Sequence, residues 1–156
     1  MDIIFDVDGT LLDITHRLYH IRVDRSNPTA NNKNWEAFRN PELKKYDTPI
    51  RPVVDIMNSL FRDGHRIIIC SGRISSEKDD TMFSLSLLSP YVQSLPTYSR
   101  SNTDYRPDTE MKFDALAHMR RHGYNPVMAF DDRPSVIKML RDQGIIVADV
   151  GKGVDF

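Results

Sequence analysis

Short apolar runs punctuate the chain, and each stops at a cluster of polar residues. The first covers 3–5. Later ones cover 66–70, 126–130 and 145–150, with a weaker run at 95–99. Continuous apolar runs of this length read as strands buried on both faces. Between them the spacing becomes helical. Val53, Ile56, Met57, Leu60 and Phe61 follow Pro52 at helical intervals, and Gly64 stands where a helix C-terminal cap belongs. Ser75 or Ser76 is placed to cap a helix reaching about Leu88, with Met82, Leu85 and Leu88 on one side. Pro107-Asp108 opens another helix through Phe113, Leu116, Ala117 and Arg120 to Gly123. Pro134 opens a last one, with Val136, Ile137 and Leu140 apolar and Gly144 as its stop. Alternating strands and helices predict an α/β, three-layer Rossmann-like fold, a mainly parallel sheet with helices on both faces.

Residues 13–51 break this rhythm. His16, Arg17 and His20 sit among Leu18, Tyr19 and Ile21 in a short helix or flap, residues 24–34 read as a loop, and Asn34 is placed to cap a short helix packing through Trp35 and Phe38. The region reads as a small cap-like insertion into a single domain of residues 1–156.

Composition narrows the classes. A chain of 156 residues with 40% apolar and 28% charged content is ordinary for a globular protein. A net charge of −1 supplies no basic field for long duplexes or membrane surfaces, but leaves small phosphorylated substrates and strand ends open. Cys70 is the only cysteine, which suits a reducing compartment. The first strand begins almost at Met1, so no signal peptide is expected, and no apolar run approaches the ~20 residues that span a bilayer.

In an open parallel sheet, ligands lie beyond the carboxyl ends of the strands. There the sequence places Asp6 and Asp8, then Ser71-Gly72-Arg73, then Asp131-Asp132, with Lys112 nearby. Asp6 and Asp8, one residue apart, project the same way from a strand end, and their repulsion calls for a cation. A turn in which Asp8 only bonds the backbone is the plainer alternative. There is no Cys/His cluster for zinc, no phosphate-binding P-loop and no GxGxxG after the first strand. Acids with a hard cation and cationic rims suit a phosphomonoester, which a carboxylate can attack.

Asp6-Val7-Asp8-Gly9-Thr10 resembles the first motif of the haloacid dehalogenase superfamily of phosphatases. Ser71, Lys112 and Asp131-Asp132 match its second, third and fourth motifs in order. The resemblance implies that Asp6 is the nucleophile, and that Asp8 is the general acid and then the base. It implies that Ser71 bonds the phosphoryl oxygens, that Lys112 neutralises charge, and that Thr10 supports the motif loop. It also implies Mg2+ held by Asp6, the Asp8 carbonyl and Asp131, with Asp132 acting directly or through water.

A narrower likeness is to the 3'-phosphatase domain of phage polynucleotide kinase–phosphatase. It rests on IFDVDGTL, CSGR, FDDR and a terminal Gly-x-x-Asp-Phe-like stretch within 151–156. It implies a phosphatase arginine at Arg17, substrate contacts at Gly72 and Arg73, and an acid, Asp108, that orients Lys112. The i,i+4 spacing of Asp108 and Lys112 on a helix favours that contact. The implied substrate is a nucleotide or a 3'-phosphorylated nucleic-acid end, without 5'-kinase activity. The implied setting is the cytoplasm, of a bacterial host if the chain is phage-encoded.

A 5'-nucleotidase, a sugar or metabolite phosphatase, and a silent phosphate-binding module are the alternatives. The last would be expected to lose Asp6, Asp8 or Lys112. His118 and His122, four apart, read as a solvated helix face, as do His16 and His20. Trp35, Tyr98 and Tyr105 are candidates for base stacking, with core packing the commoner role for Trp35, while Lys44-Lys45 and Arg120-Arg121 read as solvated charge and Cys70 as packing.

Overall fold

The structure, a computed structural model, describes residues 1–21 and 34–153. The chain forms β1 (Asp2–Phe5), a two-stranded ribbon of β2 (Leu12–Asp13) and β3 (Thr48–Pro49), and then β4 (Arg66–Ile74), β5 (Thr97–Arg100), β6 (Pro126–Asp131) and β7 (Ile146–Asp149). Helices α1 (Trp35–Phe38) and α2 (Pro41–Lys44) precede β3. After it α3 (Arg51–Arg62), α4 (Lys78–Ser86), α5 (Asp108–Arg121) and α6 (Pro134–Asp142) lie between the strands of the main sheet.

The main sheet has the order β5-β4-β1-β6-β7, and its paired strands are all parallel. β1 is central and fully buried, as its unbroken apolar run requires. Strand side chains alternate, so Ile3 and Phe5 enter one core with Val53, Val54 and Met57 of α3 and Leu85 of α4. Ile4 enters the other with Leu116 and Met119 of α5 and Val136, Ile137 and Leu140 of α6. Helices thus cover both faces, and the carboxyl ends of β1, β4 and β6 come together at one sheet edge.

Two local expectations change, and a short ribbon appears that the sequence pattern does not predict. β4 does not stop at Cys70 but continues through Ser71-Gly72-Arg73 to Ile74, because β5 goes on pairing with it as far as Ile74↔Arg100, across an irregular register. Neither Ser75 nor Ser76 caps α4: a single 3-10 turn, Ser75–Glu77, intervenes, and Ser75 Oγ donates instead to Asn102 Oδ1 at 3.0 Å. The ribbon pairs Leu12 with Pro49 and Asp13 with Thr48, joining the two ends of the 13–51 segment. Asn34 caps α1, its Oδ1 accepting from the Ala37 amide at 2.9 Å. The rest of the loop expected at 24–34, and the last residues of the terminal motif, 154–156, lie outside the described residues. Among those described, no helix is long and apolar enough to cross a membrane.

Candidate active site

The site begins where β1 runs out. The Asp6 amide still donates to Phe130 O of β6 at 3.1 Å, so the ladder reaches the first acid. The chain then coils on itself, with the Thr10, Leu11 and Leu12 amides all directed at Val7 O. Gly9 makes this possible. Its φ is +91°, and a Cβ there would lie 2.1 Å from Asp132 Oδ2. The turn therefore seats the first motif directly against the last, and Thr10 Oγ1 donates to Asp132 Oδ1 at 3.3 Å.

Asp6 lies in a cluster of buried charge. Lys112, carried on α5, donates from Nζ to Asp6 Oδ1 and to Asp131 Oδ2, each at 2.7 Å. Burial pushes the Asp6 carboxyl well above its ordinary range, reinforced by Asp131 and Asp132. Burial also opposes the Lys112 charge, but Asp131 and Asp6 outweigh it and hold the ammonium well above its usual value. Burial and the neighbouring Asp131 raise Asp132 to about 6. The one ammonium thus bonds two of the three crowded acids, Asp6 and Asp131, and not Asp132. The Arg133 amide adds a bond to Asp131 Oδ1 at 3.1 Å.

Asp8 belongs to a second network in the same cleft. Arg17 Nη2 donates to its Oδ1 at 2.7 Å, while Arg73 reaches both oxygens, with Nη2 at 2.6 Å from Oδ1 and Nε at 3.0 Å from Oδ2. Asp8 therefore does more than close a backbone turn. Burial works against its charge, but Arg73 and then Arg17 prevail and hold the carboxyl far below the usual range. Behind the arginines stands Asp47, whose side chain is fully buried. It accepts from Arg17 Nε at 2.8 Å and Arg17 Nη2 at 2.9 Å, and from Arg73 Nη2 at 2.9 Å. Sequence reasoning missed Asp47. It belongs to no motif, and its only signal is a carboxylate in the 13–51 segment next to β3.

Asp108 does not form the expected contact with Lys112. Arg100 binds its Oδ1 and Arg133 Nη1 its Oδ2 at 2.8 Å, while Lys112 turns to Asp6 and Asp131. Tertiary guanidinium partners prevail over an i,i+4 pairing worth only ~0.3–0.5 kcal/mol. Gly72 lets Asp108 approach, since a Cβ there would sit 2.8 Å from its Oδ2. Ser71 is buried beside it, its Oγ accepting from the Arg73 amide at 3.2 Å.

Asp6, Asp8, Arg17, Gly72, Arg73, Asp108, Lys112, Asp131 and Asp132 share one cleft of about 650 Å³. The donor set fits a hard cation, because crowded carboxylates with raised proton affinity are relieved by positive charge. Among the described residues no three His, Cys, Asp or Glu side chains form a cage by themselves. A cation here would therefore use few carboxylates and complete its shell with backbone carbonyl and water, as Mg2+ readily does.

The remaining features divide. His118 and His122 stack at 3.9 Å on the α5 surface, and His16 bonds Leu43 O at 2.9 Å. Cys70 is buried and its thiol is pushed up to about 12, which makes it inert. Lys44 is not solvated charge. It is buried and pairs with Glu77 at 2.9 Å. Arg120 donates to Gln143 O at 2.9 Å.

A solved structure of a Pnkp1/Rnl/Hen1 RNA repair complex contains a chain similar in fold, with a TM-score of 0.72 and 22% identity over 99% of this chain and 43% of that one. The chain thus spans less than half the length of that match. A haloacid dehalogenase-like family hydrolase from Streptococcus pneumoniae matches with a TM-score of 0.66 and 13% identity over 97% of this chain and 86% of its own. A class C acid phosphatase from Bacillus anthracis, with tungstate bound, matches with a TM-score of 0.64 and 15% identity over 96% of this chain and 65% of that one. These are likenesses of fold. The model of the polynucleotide kinase PNKP phosphatase domain matches residues 1–156. By that match the chain belongs to the PNKP phosphatase-domain family, a phosphatase family of the haloacid dehalogenase type.

Proposed function

We propose that this phosphatase hydrolyses phosphomonoesters of nucleotides or nucleic-acid ends through an aspartyl-phosphate on Asp6, in a Mg2+-dependent reaction, with 3'-phosphates as first choice. The observation that carries the reading is the gathering of Asp6, Lys112 and Asp131 with Asp8, Arg17 and Arg73 in one cleft. Family membership, and the RNA repair complex among its structural neighbours, support the nucleic-acid assignment.

In this reading an Asp6 oxygen attacks phosphorus and the ester P–O bond breaks. The departing oxygen takes a proton from Asp8. Water then attacks the phosphorus of the aspartyl-phosphate, Asp8 takes the proton from that water, and phosphate leaves. Lys112 balances charge on Asp6 and the phosphoryl group, while Ser71 and the Gly72 backbone bond its oxygens. Thr10 braces the motif loop against Asp132. Asp6, Asp131 and the Asp8 carbonyl, with Asp132 directly or through water, would hold Mg2+, which when bound supplies positive charge to the carboxylates and phosphoryl oxygens.

Two guanidinium groups favour the carboxylate form of Asp8, the state the second step needs. For the first step it needs a proton, and an incoming phosphate dianion competes for the same guanidinium groups, weakening their hold on Asp8. Asp108 fixes Arg100 and Arg133 at the rim, and residues 13–51 act as a cap-like part of a single phosphatase domain.

Phosphate release from 3'-dTMP and a 3'-phosphorylated oligonucleotide, set against 5'-nucleotides and sugar phosphates, tests the assignment. Preference for the 3'-esters, with no turnover by Asp6→Asn, is expected. Preference for 5'-nucleotides would select the nucleotidase alternative, and equal turnover of sugar phosphates would defeat the nucleotide reading.

A further inference from the structure

The wall of the cleft built by α1 carries a feature that the phosphate chemistry does not use. Trp35, expected in the core, is 38% exposed and lines the cleft that holds Asp6 and Asp8. Its ring is held in place. It meets Phe38 edge-on with centroids 5.8 Å apart, and the Arg39 guanidinium lies 5.4 Å from its centroid. Arg39 is itself drawn towards Glu77 at 3.8 Å, and Glu77 towards buried Lys44 at 2.9 Å. On its inner side Phe38 carries the Arg17 guanidinium at 4.4 Å over its ring, and its carbonyl accepts from Arg17 Nη1 at 3.2 Å. Arg17 is one of the two cations on Asp8. A ladder of rings and guanidinium groups therefore leads from Asp8 out to Trp35 and Arg39.

We propose that Trp35 and Arg39 form a stacking platform for the nucleobase adjoining the phosphate, so that the enzyme selects nucleoside phosphates over phosphates of bare sugars. The inference rests on the nucleotide reading above and deepens it. An indole face accepts any base, because every base has a π face. A guanidinium fixed beside it adds a cation to the same surface. The loop before α5 brings Tyr105, 85% exposed, into the same cleft as a second ring. Because α1 is fastened to Arg17 twice, a base seated on Trp35 is registered against the group that faces the phosphate.

Two readouts test the platform. The first is the ratio of kcat/KM for a nucleoside 3'-monophosphate to that for a 3'-phosphorylated abasic deoxyribose. Trp35→Ala is expected to lower this ratio about tenfold or more, and Trp35→Phe to restore most of it. The second uses the fact that Trp35 is the chain's only tryptophan. In Asp6→Asn protein with Mg2+, the nucleoside 3'-monophosphate should quench its fluorescence and the abasic compound should not. Equal losses on both substrates in Trp35→Ala would overturn the platform. So would unchanged fluorescence at nucleotide concentrations where calorimetry reports binding. Failure of the nucleotide reading shows separately, as no turnover of nucleoside phosphates by the unmutated enzyme, and it removes the platform as well.

Discussion

Asp132 is an acid held in a place that penalises its charge. Buried beside Asp131, it has its pKa raised to about 6, against about 3.9 for a free aspartate. A raised carboxyl pKa means that the folded chain binds the proton more tightly than the unfolded one. The Asp132 contribution to stability is then most favourable below about pH 4, falls as pH rises towards 6, and above 6 stays lower by up to ~3 kcal/mol. Asp132→Asn removes this term while keeping an acceptor for Thr10 Oγ1. In EDTA the variant should be more stable than the parent at pH 7.5, and the gain should shrink towards pH 4.5. Denaturant titrations at the two pH values measure it, and a pH-independent difference would mean that Asp132 carries no such charge penalty. The residue scale also shows where sequence reasoning stops. The acids were legible because a motif spaces them and strand ends gather them. The partners of Asp108 were not, since Arg100 and Arg133 reach it through the fold and helical spacing points only to Lys112. Trp35 misled for a related reason: an aromatic in a short capped helix signals packing, and nothing local says that its ring stays exposed on a cleft wall while that of Phe38 is buried.

At the scale of elements, the long strands and helices were readable because each carries its own period, apolar over residues 3–5 of β1 and 67–70 of β4 and helical for α3 and α6. The β2–β3 ribbon was not. Each of its strands has two residues, and pairing Leu12 with Pro49 is a matter of closure across the 13–51 segment. The extension of β4 past Cys70 likewise comes from its neighbour β5 and leaves no mark in Ser71-Gly72-Arg73 itself. The ribbon has a chemical consequence, since it sets Asp47, the residue before β3, against Arg17 and Arg73. Asp47→Asn keeps the shape but removes the charge and turns one acceptor into a donor facing a guanidinium. Breaking a buried pair costs about 3–5 kcal/mol, and Asp8 remains as a partner, so the lower end is expected. For a chain of this size that is a fall in Tm of roughly 6–12 °C. Phosphatase kcat/KM should fall by about a hundredfold or more, with the far-ultraviolet circular dichroism unchanged. Retained activity and Tm would show that Asp47 does not brace the arginines.

Seen whole, the fold brings acids from opposite ends of the chain to one sheet edge, and their mutual repulsion is a standing cost that a bound cation would lift. Asp6 and Asp131 share one ammonium, Asp132 has none, and burial sharpens each repulsion. Binding to the folded chain alone stabilises it by mass action, about 2.7 kcal/mol at a hundredfold excess over Kd. For about 150 residues this corresponds to a rise in Tm of roughly 5–10 °C. Under the proposed reading, EDTA should abolish turnover, excess Mg2+ should restore it, and Mg2+ should raise Tm at pH 7.5 by that order. The sign of the pH effect follows from competition. As pH falls through about 6, Asp132 takes a proton that a cation must displace, so the Mg2+-induced rise should shrink by pH 5. Thermal melts with and without Mg2+ across that range measure it. An Mg2+ effect that is absent at pH 7.5, or that grows towards pH 5, would mean that the acids are stabilised by Lys112 and the fold alone, and that the metal-dependent mechanism does not belong to this cleft.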